Sequence, residues 1–437
     1  MPPYTIREWD KVVYGEGEDQ IPERHADRLV ALAARSAFAG RGSGGVLEHG
    51  RHALRARGVV GILAAGEVSL EILPKIEVAP GPADHQNAAV RKRLVHMLAV
   101  ALDLRIDLGT ITDLAWQRET LLEILIRIFC DKLTEAVRKG MPRQYVPCED
   151  DLRTLRGQLD IARQFTRLAV NPARLACRFD SLSEDTPLNR IMKAAVLRLT
   201  NLSRRAAIQQ RLRELTFVFA DITDVPVAEL RWDQVVIDRT NRAWQDLFAM
   251  ARLFLQNRYQ TTTGGNGQGT AMLFEMNALF EEYVGRLVVR ALAGTGHTVS
   301  VQGGQLFCLT ALDGGRPLFQ TRPDILIRKG GKVVHVIDTK WKRISPRIDD
   351  PKQGVSQADV YQMMAYAQLY GTPRLTLLYP HHPGLGTEEG VLGRYTITGG
   401  ATRLETASID VASNTGIIER LRRLILEGDG AALEPAA

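Results

Sequence analysis

Residues 322–340 read RPDILIRKGGKVVHVIDTK, and the pair Gly330-Gly331 at the centre decides how the surrounding chain folds. The flanking runs ILIRK and KVVHVID are rich in β-branched residues, which suit a pleated strand. Glycine tolerates the positive φ angles that a tight hairpin turn demands. The segment therefore predicts a hairpin that carries Asp324 and Asp338 toward each other. Counted outward from the glycines, Asp324 falls opposite residue 337 or 338, depending on loop register. Side chains alternate faces along a strand, so Lys340 shares a face with Asp338.

Two carboxylates and a lysine at one end of a hairpin suit phosphodiester hydrolysis. That reaction builds negative charge on a group already anionic, and Mg²⁺ held by hard oxygen ligands offsets the charge and orients water. A lysine ammonium beside the metal can position or deprotonate the nucleophile and can stabilise the transition state. Asp324 and Asp338 are thus the expected metal ligands, and Lys340 the third catalytic residue. The competing reading is a solvated hairpin whose Asp and Lys are surface charges.

Neighbouring segments bear on that choice. Downstream, DVYQMMAYAQLY (359–370) predicts a helix through Tyr361, Met364, Ala365 and Gln368 or Leu369. It sets Gln362 and Tyr366 four apart on one face, where an amide and a phenol could bind a phosphate or hold the lysine. An ordinary amphipathic helix is the alternative. Upstream, MLFEMNALFEEYVGRLVVRAL (272–292) predicts a helix with one apolar stripe, Met272, Met276, Leu279, Phe280, Tyr283, Leu287 and Val288. Glu275 and Glu282 lie on one flank and Glu281 on the other. Any of them could complete a metal shell, Glu281 being the working candidate, or form a solvated edge. RLTLLYP (374–380) reads as a buried strand, so the order helix, strands, helix, strand predicts a small mixed sheet with flanking helices.

These segments resemble a known family. A Q-x-x-x-Y helix after a D-x-K strand is similar to the RecB-like branch of PD-(D/E)xK nucleases. More broadly, FEMNALFEEYVGRL, TRPDILIR, VIDTKWKR and ADVYQMMAYA resemble the carboxyl-terminal domain of the McrC family, the nuclease subunits of McrBC modification-dependent (5-methylcytosine) restriction systems. GVVGILAAGEVSLEILPKIE, LRGQLD and CRFDSLSEDTPLNRIMKAAV resemble that family's amino-terminal portion. The resemblance implies a double-stranded DNA endonuclease that docks on a hexameric AAA+ GTPase, McrB-like, and stimulates its GTP hydrolysis. It also implies that Asp324, Asp338 and Lys340 take the catalytic positions, and that GTP binds to the partner. No Gly-Lys-Ser/Thr ending of a phosphate-binding loop occurs in this chain.

The remaining sequence predicts an α+β, multidomain chain. Residues 1–85 form a β-rich module, with GVVGIL and VSLEILP as strands joined by Ala64 to Glu67. Residues 86–260 are mainly helical and the expected partner-docking region. Residues 261–270 are a glycine-rich linker, and 271–437 the restriction-endonuclease-like α/β domain with its mixed central sheet. Gly40 to Gly45 reads as a loop. The net charge of +6 favours polyanionic partners. Between residues 150 and 216 stand 13 basic and 7 acidic residues, so this stretch equals the whole excess. There Arg153, Arg156, Arg163, Arg167, Arg174 and Arg178 could contact DNA phosphates or an acidic partner, or form a solvated face. Four scattered cysteines support neither a disulfide scaffold nor a zinc ribbon. His381-His382 reads as a polar loop. No run approaches the roughly 20 apolar residues of a membrane span, so no membrane partner and a cytoplasmic location are expected. Two other functions fit the same residues: an autonomous DNA repair nuclease, or a non-catalytic adaptor that activates an ATPase or GTPase.

Overall fold

The computed structural model describes residues 4–427 apart from 18, 37, 39–44, 107–108, 110, 172, 257–268 and 351–353. Most of the Gly40 to Gly45 loop and residues 261–268 of the expected linker therefore lie outside the described residues. The chain forms two compact units, Met1–Leu121 with Tyr259–Ala437, and Leu122–Arg258. The β-rich start and the carboxyl-terminal region thus belong to one unit, and most of the helical region is inserted between them.

The first unit opens with β1 (Tyr4–Arg7), β2 (Lys11–Val13), α1 (Glu23–Ala33), β3 (Leu47–His49), β4 (Ala53–Ala56), β5 (Val59–Ala65), β6 (Val68–Leu73), α2 (Ala83–Ala101) and α3 (Asp113–Arg118). The two expected strands are β5 and β6, paired antiparallel, with β1 parallel to β6. A small sheet of order β2-β4-β3 adjoins them. Leu29 of α1 packs with Leu54, Leu63, Leu70 and Ile72 in their shared core. Glu71 is wholly buried and accepts from Arg91 Nη2 at 2.7 Å and Leu121 N at 2.8 Å, so it ties α2 and the end of this segment to the sheet.

The inserted unit comprises α4 (Leu121–Lys139), β7 (Gln144–Leu152), β8 (Gln158–Leu159), α5 (Ile161–Thr166), β9 (Leu175–Ser183), α6 (Pro187–Leu202), α7 (Ala206–Val218) and α8 (Gln245–Leu255). Its strands pair antiparallel in the order β7-β9-β8. Thr186 caps α6 by accepting from Asn189 N, and Pro187 occupies the first turn, where its missing N–H costs no helical bond.

The chain returns to the first unit through β10 (Gly269–Glu275), α9 (Met276–Ala291), β11 (His297–Val301), β12 (Phe307–Thr310), β13 (Pro317–Gln320), β14 (Ile325–Lys329), β15 (Lys332–Thr339), α10 (Gln357–Tyr370), β16 (Arg374–Pro380), β17 (Gly390–Thr396), β18 (Arg403–Ile409) and α11 (Ile417–Leu426). The helix expected from Met272 begins at Met276 instead. Met272, Leu273 and Phe274 are consecutive and all buried, because β10 pairs with β5 and is covered on both faces. The rest of the stripe, Met276, Leu279, Phe280, Tyr283, Leu287 and Val288, is buried on α9 as expected.

A six-stranded mixed sheet follows, of order β11-β14-β15-β16-β18-β17, in which β15, β16 and β18 run parallel. This is the expected mixed central sheet. Met363 and Tyr366 of α10 pack on Leu326, Val336, Leu375 and Leu377. The expected stripe on α10 is corrected: Tyr361 and Met364 are exposed, and the buried face carries Met363 and Tyr366. Apolar residues surround this helix, so periodicity alone did not select a face.

Close pairing of β10 with β5 depends on Gly61. Its φ is +131°, and a Cβ there would lie 2.0 Å from the carbonyl oxygen of Met272. Gly61→Ala is therefore expected to destabilise the first unit by roughly 2–4 kcal/mol, read as a lower urea midpoint. An unchanged midpoint would show that β10 can shift at no cost.

Candidate active site

The hairpin forms as the glycines dictate. Gly330 and Gly331 have φ of +58° and +82°, and Lys329 pairs with Lys332 across a two-residue turn. An uninterrupted ladder from there would set Asp324 against Ile337. The register instead shifts between Ile327 and Arg328, which face His335 and Val333, so Val334 is an extra residue. Beyond that bulge Ile325 faces Ile337, and Asp324 comes level with Asp338. The two alternatives left open by the sequence are decided by one inserted residue.

Asp338 sits inside the sheet, 1% exposed, with its neighbour Thr339 also buried. Asp324 Oδ2 accepts from Thr339 N at 2.7 Å and from Thr339 Oγ1 at 2.8 Å. Burial and negative neighbours raise both carboxyls to about 6: Glu281 acts on Asp324, and Asp324 on Asp338. The Thr339 hydrogen bonds and the Lys340 charge oppose this shift without cancelling it.

Lys340 Nζ lies 2.8 Å from Asp338 Oδ2, 3.6 Å from Asp359 Oδ1 and 3.2 Å from Gln362 Oε1. Gln362 Nε2 in turn donates to the Tyr366 hydroxyl at 2.7 Å. The amide and phenol therefore form one chain ending on the lysine, the second of the two roles the sequence allowed them. Burial lowers the lysine pKa, but Asp338, Asp359 and Asp324 outweigh it and hold the group above its usual value. Lys340 is an ammonium at neutral pH.

Of the three glutamates, Glu281 couples electrostatically to the aspartate pair. Its pKa is raised by burial, with Glu282 and Asp338 adding to the shift and a Gln302 hydrogen bond opposing it. Glu275 closes β10 opposite Val59, and Glu282 acts on Glu281 from the next position. Among the described residues no three His, Cys, Asp or Glu side chains converge into a metal cage. Asp338 Oδ2 is buried and meets only the Lys340 ammonium, at 2.8 Å, so the carboxylate keeps lone pairs for a cation. Two carboxylates fit a hard ion such as Mg²⁺, which usually keeps several waters.

The sequence reading missed three residues. Thr339 clamps Asp324, Asp359 pairs with both Lys340 and Lys342, and Gln302 donates its N–H to Asp324 O at 2.7 Å. Asp359 and Thr339 lie within the quoted segments, whereas Gln302, at φ +51°, left no sequence signal.

The arginines of the inserted unit do not share a single role. Arg163 pairs with Glu149 and Asp151, Arg178 with Glu149 and Asp160, and Arg174 Nη1 donates to Asp151 O. Arg156 stacks over Phe179 with Cζ 4.1 Å from the ring centroid, and Arg153 is exposed. His381 bonds Ser408 and His382 the carbonyl of Ile344, so both serve the loop. Among the described residues, no helix is long and apolar enough to cross a membrane.

The chain as a whole is similar to known proteins. The family model described as McrBC 5-methylcytosine restriction system component matches residues 54–380. The type IV methyl-directed restriction enzyme EcoKMcrBC of Escherichia coli (strain K12) is 22% identical over 294 residues, covering 64% of this chain and 81% of that protein. A refined half-complex from a tetradecameric assembly of Thermococcus gammatolerans McrB AAA+ hexamers with bound McrC contains a chain of similar fold. The TM-score is 0.71 at 21% identity, over 96% of this chain and 98% of that one. A chain of the cryo-EM structure of the Thermococcus gammatolerans McrBC complex matches with a TM-score of 0.53 at 26% identity, over 67% and 88%.

The raised carboxyl pair makes stability depend on pH. Between about pH 4, where free aspartate titrates, and pH 6, the folded metal-free protein binds more protons than the unfolded chain. Its stability should fall as pH rises through that window, with the full penalty present above it. Asp324→Asn/Asp338→Asn should flatten the slope in denaturant titrations at successive pH values. An equally steep slope in that variant would place the titrating groups elsewhere.

Proposed function

The chain belongs to the McrBC family of 5-methylcytosine restriction system components, and on that premise we propose that it is the Mg²⁺-dependent endonuclease subunit of a GTP-dependent restriction complex. The observation that carries this reading is the buried pair Asp324 and Asp338 beside the Lys340 ammonium, which lies 2.8 Å from Asp338 Oδ2. Asp324 and Asp338 would hold the metal, with Glu281 available as an outer ligand or base. When bound, Mg²⁺ supplies charge compensation at the scissile phosphate and orients water.

The chain's own residues account for the rest. Asp338, Asp359 and Gln362 hold Lys340 in place, so its ammonium meets phosphate charge without reorganising. Tyr366 fixes the Gln362 amide by accepting from its Nε2 at the far end of the chain. Thr339 keeps Asp324 ionisable by donating twice to one oxygen, which leaves the other free.

The partner in this reading is a AAA+ GTPase of the McrB type, and the substrate is double-stranded DNA carrying methylated cytosine. Relatives support it: the Thermococcus gammatolerans structure joins McrB AAA+ hexamers with bound McrC. The lack of a nucleotide-binding Gly-Lys-Ser/Thr ending fits GTP binding on the partner.

Plasmid cleavage, methylated against unmethylated, with Mg²⁺ and with or without the partner and GTP, tests the proposal. Wild-type cutting should need all of these. Asp338→Ala should abolish it while partner binding and GTPase stimulation persist, and Lys340→Ala should slow it roughly 10²–10³-fold. Cutting by the chain alone would favour an autonomous nuclease. Stimulated GTP hydrolysis with no wild-type cutting would favour an adaptor.

A further inference from the structure

The segment that leaves the sheet after Lys340 is held from behind by the amino-terminal module. Trp341 Nε1 donates to Glu8 Oε1, and Trp341 N donates to Asn277 Oδ1 at 3.1 Å. The indole meets the Phe280 ring edge to face, with centroids 5.3 Å apart. Two residues further on, Arg343 pairs with Glu77, which follows β6. Trp341 and Phe280 are the sequence neighbours of Lys340 and Glu281. The two rings thus form a backing plate behind the candidate site, and Glu8 is the polar group that fixes it.

Glu8 is an expensive residue at this position. It is 1% exposed, its Oε2 has no hydrogen-bond partner, and its other oxygen also accepts from Lys75 N at 3.2 Å. Burial raises its carboxyl to about 7, against the opposing hydrogen bonds from Trp341 and Lys75. A buried carboxylate with one idle oxygen costs stability, and an apolar residue would pack there at least as well. Packing alone does not account for it.

We propose that Glu8 is a positioning residue: by holding Trp341 it fixes Lys340 against Asp338, so the amino-terminal module governs whether the site is competent. The backbone of Lys340 is already bonded to the sheet through Leu378 O at 2.9 Å, and Trp341 is the first residue whose place the sheet does not set. Releasing the indole frees the chain one residue from the ammonium. A displacement of that kind lowers rate more than binding. The module therefore offers a route by which events at the other end of the chain reach the scissile phosphate.

The inference rests on the nuclease reading for its activity readout, and the test separates the two. Glu8→Leu, Glu8→Gln, Trp341→Phe and the double variant Glu8→Leu/Trp341→Phe are compared in the full chain with its AAA+ partner, GTP, Mg²⁺ and methylated plasmid. Glu8→Leu and Trp341→Phe should lower the saturated cutting rate about tenfold to a hundredfold. The half-saturating DNA concentration should hold, and the melting temperature of Glu8→Leu should be equal or higher. Glu8→Gln retains the acceptor and should stay within about threefold of wild type, and the double variant should be no slower than the slower single variant. Wild-type rates in Glu8→Leu would overturn the strut and leave the nuclease reading standing. So would a loss of rate shared by Glu8→Gln and matched by a fall in melting temperature. If the wild-type protein does not cut, the nuclease reading fails, and ¹⁹F spectra of 5-fluorotryptophan protein decide the strut. The Trp341 signal, identified by its absence in Trp341→Phe, should move in Glu8→Leu and respond to Lys340→Ala only while Glu8 is present. A signal indifferent to Glu8→Leu would overturn it.

Discussion

One extra residue in β15 governs the chemistry of the hairpin. Side chains alternate with a period of two, so a one-residue offset exchanges the faces of everything beyond it. Without Val334 as a bulge, Leu326 would face His335, and Asp324 would face Ile337. With it, Leu326 faces Val336 in the α10 core, and Asp324 comes level with Asp338. The same shift leaves His335 on the other side, where it bonds Thr376 at 2.7 Å. Apolar burial and carboxylate pairing are thus satisfied by the same register. Burial enforces the register, and the acids follow.

Charge is placed inside this unit at defined joints. Glu71 joins the first sheet to α2 through Arg91, and Glu405 joins the second to α11, because Arg374 spans from its carboxylate to the carbonyls of Leu424 and Ile425. Such pairs contribute little over an apolar replacement but penalise any other arrangement, since separating them leaves a buried charge alone. They specify where helices dock. The aspartate pair differs: both members carry the same sign, so the fold stores repulsion at the site. In the proposed reading a bound cation would relieve it, and the strands paired on both sides of β15 hold the two carboxyls in place.

Much of this was readable from local signals. Gly330-Gly331 fixed the turn, RLTLLYP the strand β16, and the stripe from Met276 to Val288 the buried face of α9. Gln362 and Tyr366 were paired correctly on helical spacing alone. What the sequence concealed depends on contacts made at a distance. Met272 to Phe274 continue a helical pattern, and only the approach of β5 turns them into a strand. Tyr361 and Met364 looked as apolar as Met363 and Tyr366, and the sheet chose between them. A bulge at Val334 has no composition of its own. Gln302 reaches Glu281 and Asp324 from a strand end that no motif marks, and the partnership of Glu8 with Trp341 joins positions that are remote along the chain.

The insertion of residues 122–258 between β5 and its partner strand orders the birth of the protein. As the chain leaves the ribosome, β5 is paired with β6 on one side only, and its apolar outer edge is a template for mispairing. The inserted unit emerges next and can fold as a separate body while that edge waits. Only then does β10 arrive, and every residue of the candidate site follows it. A nascent chain stalled anywhere before that point lacks Asp324, Asp338, Lys340 and Gln362 alike. The order of translation thus keeps the candidate site off every partial product.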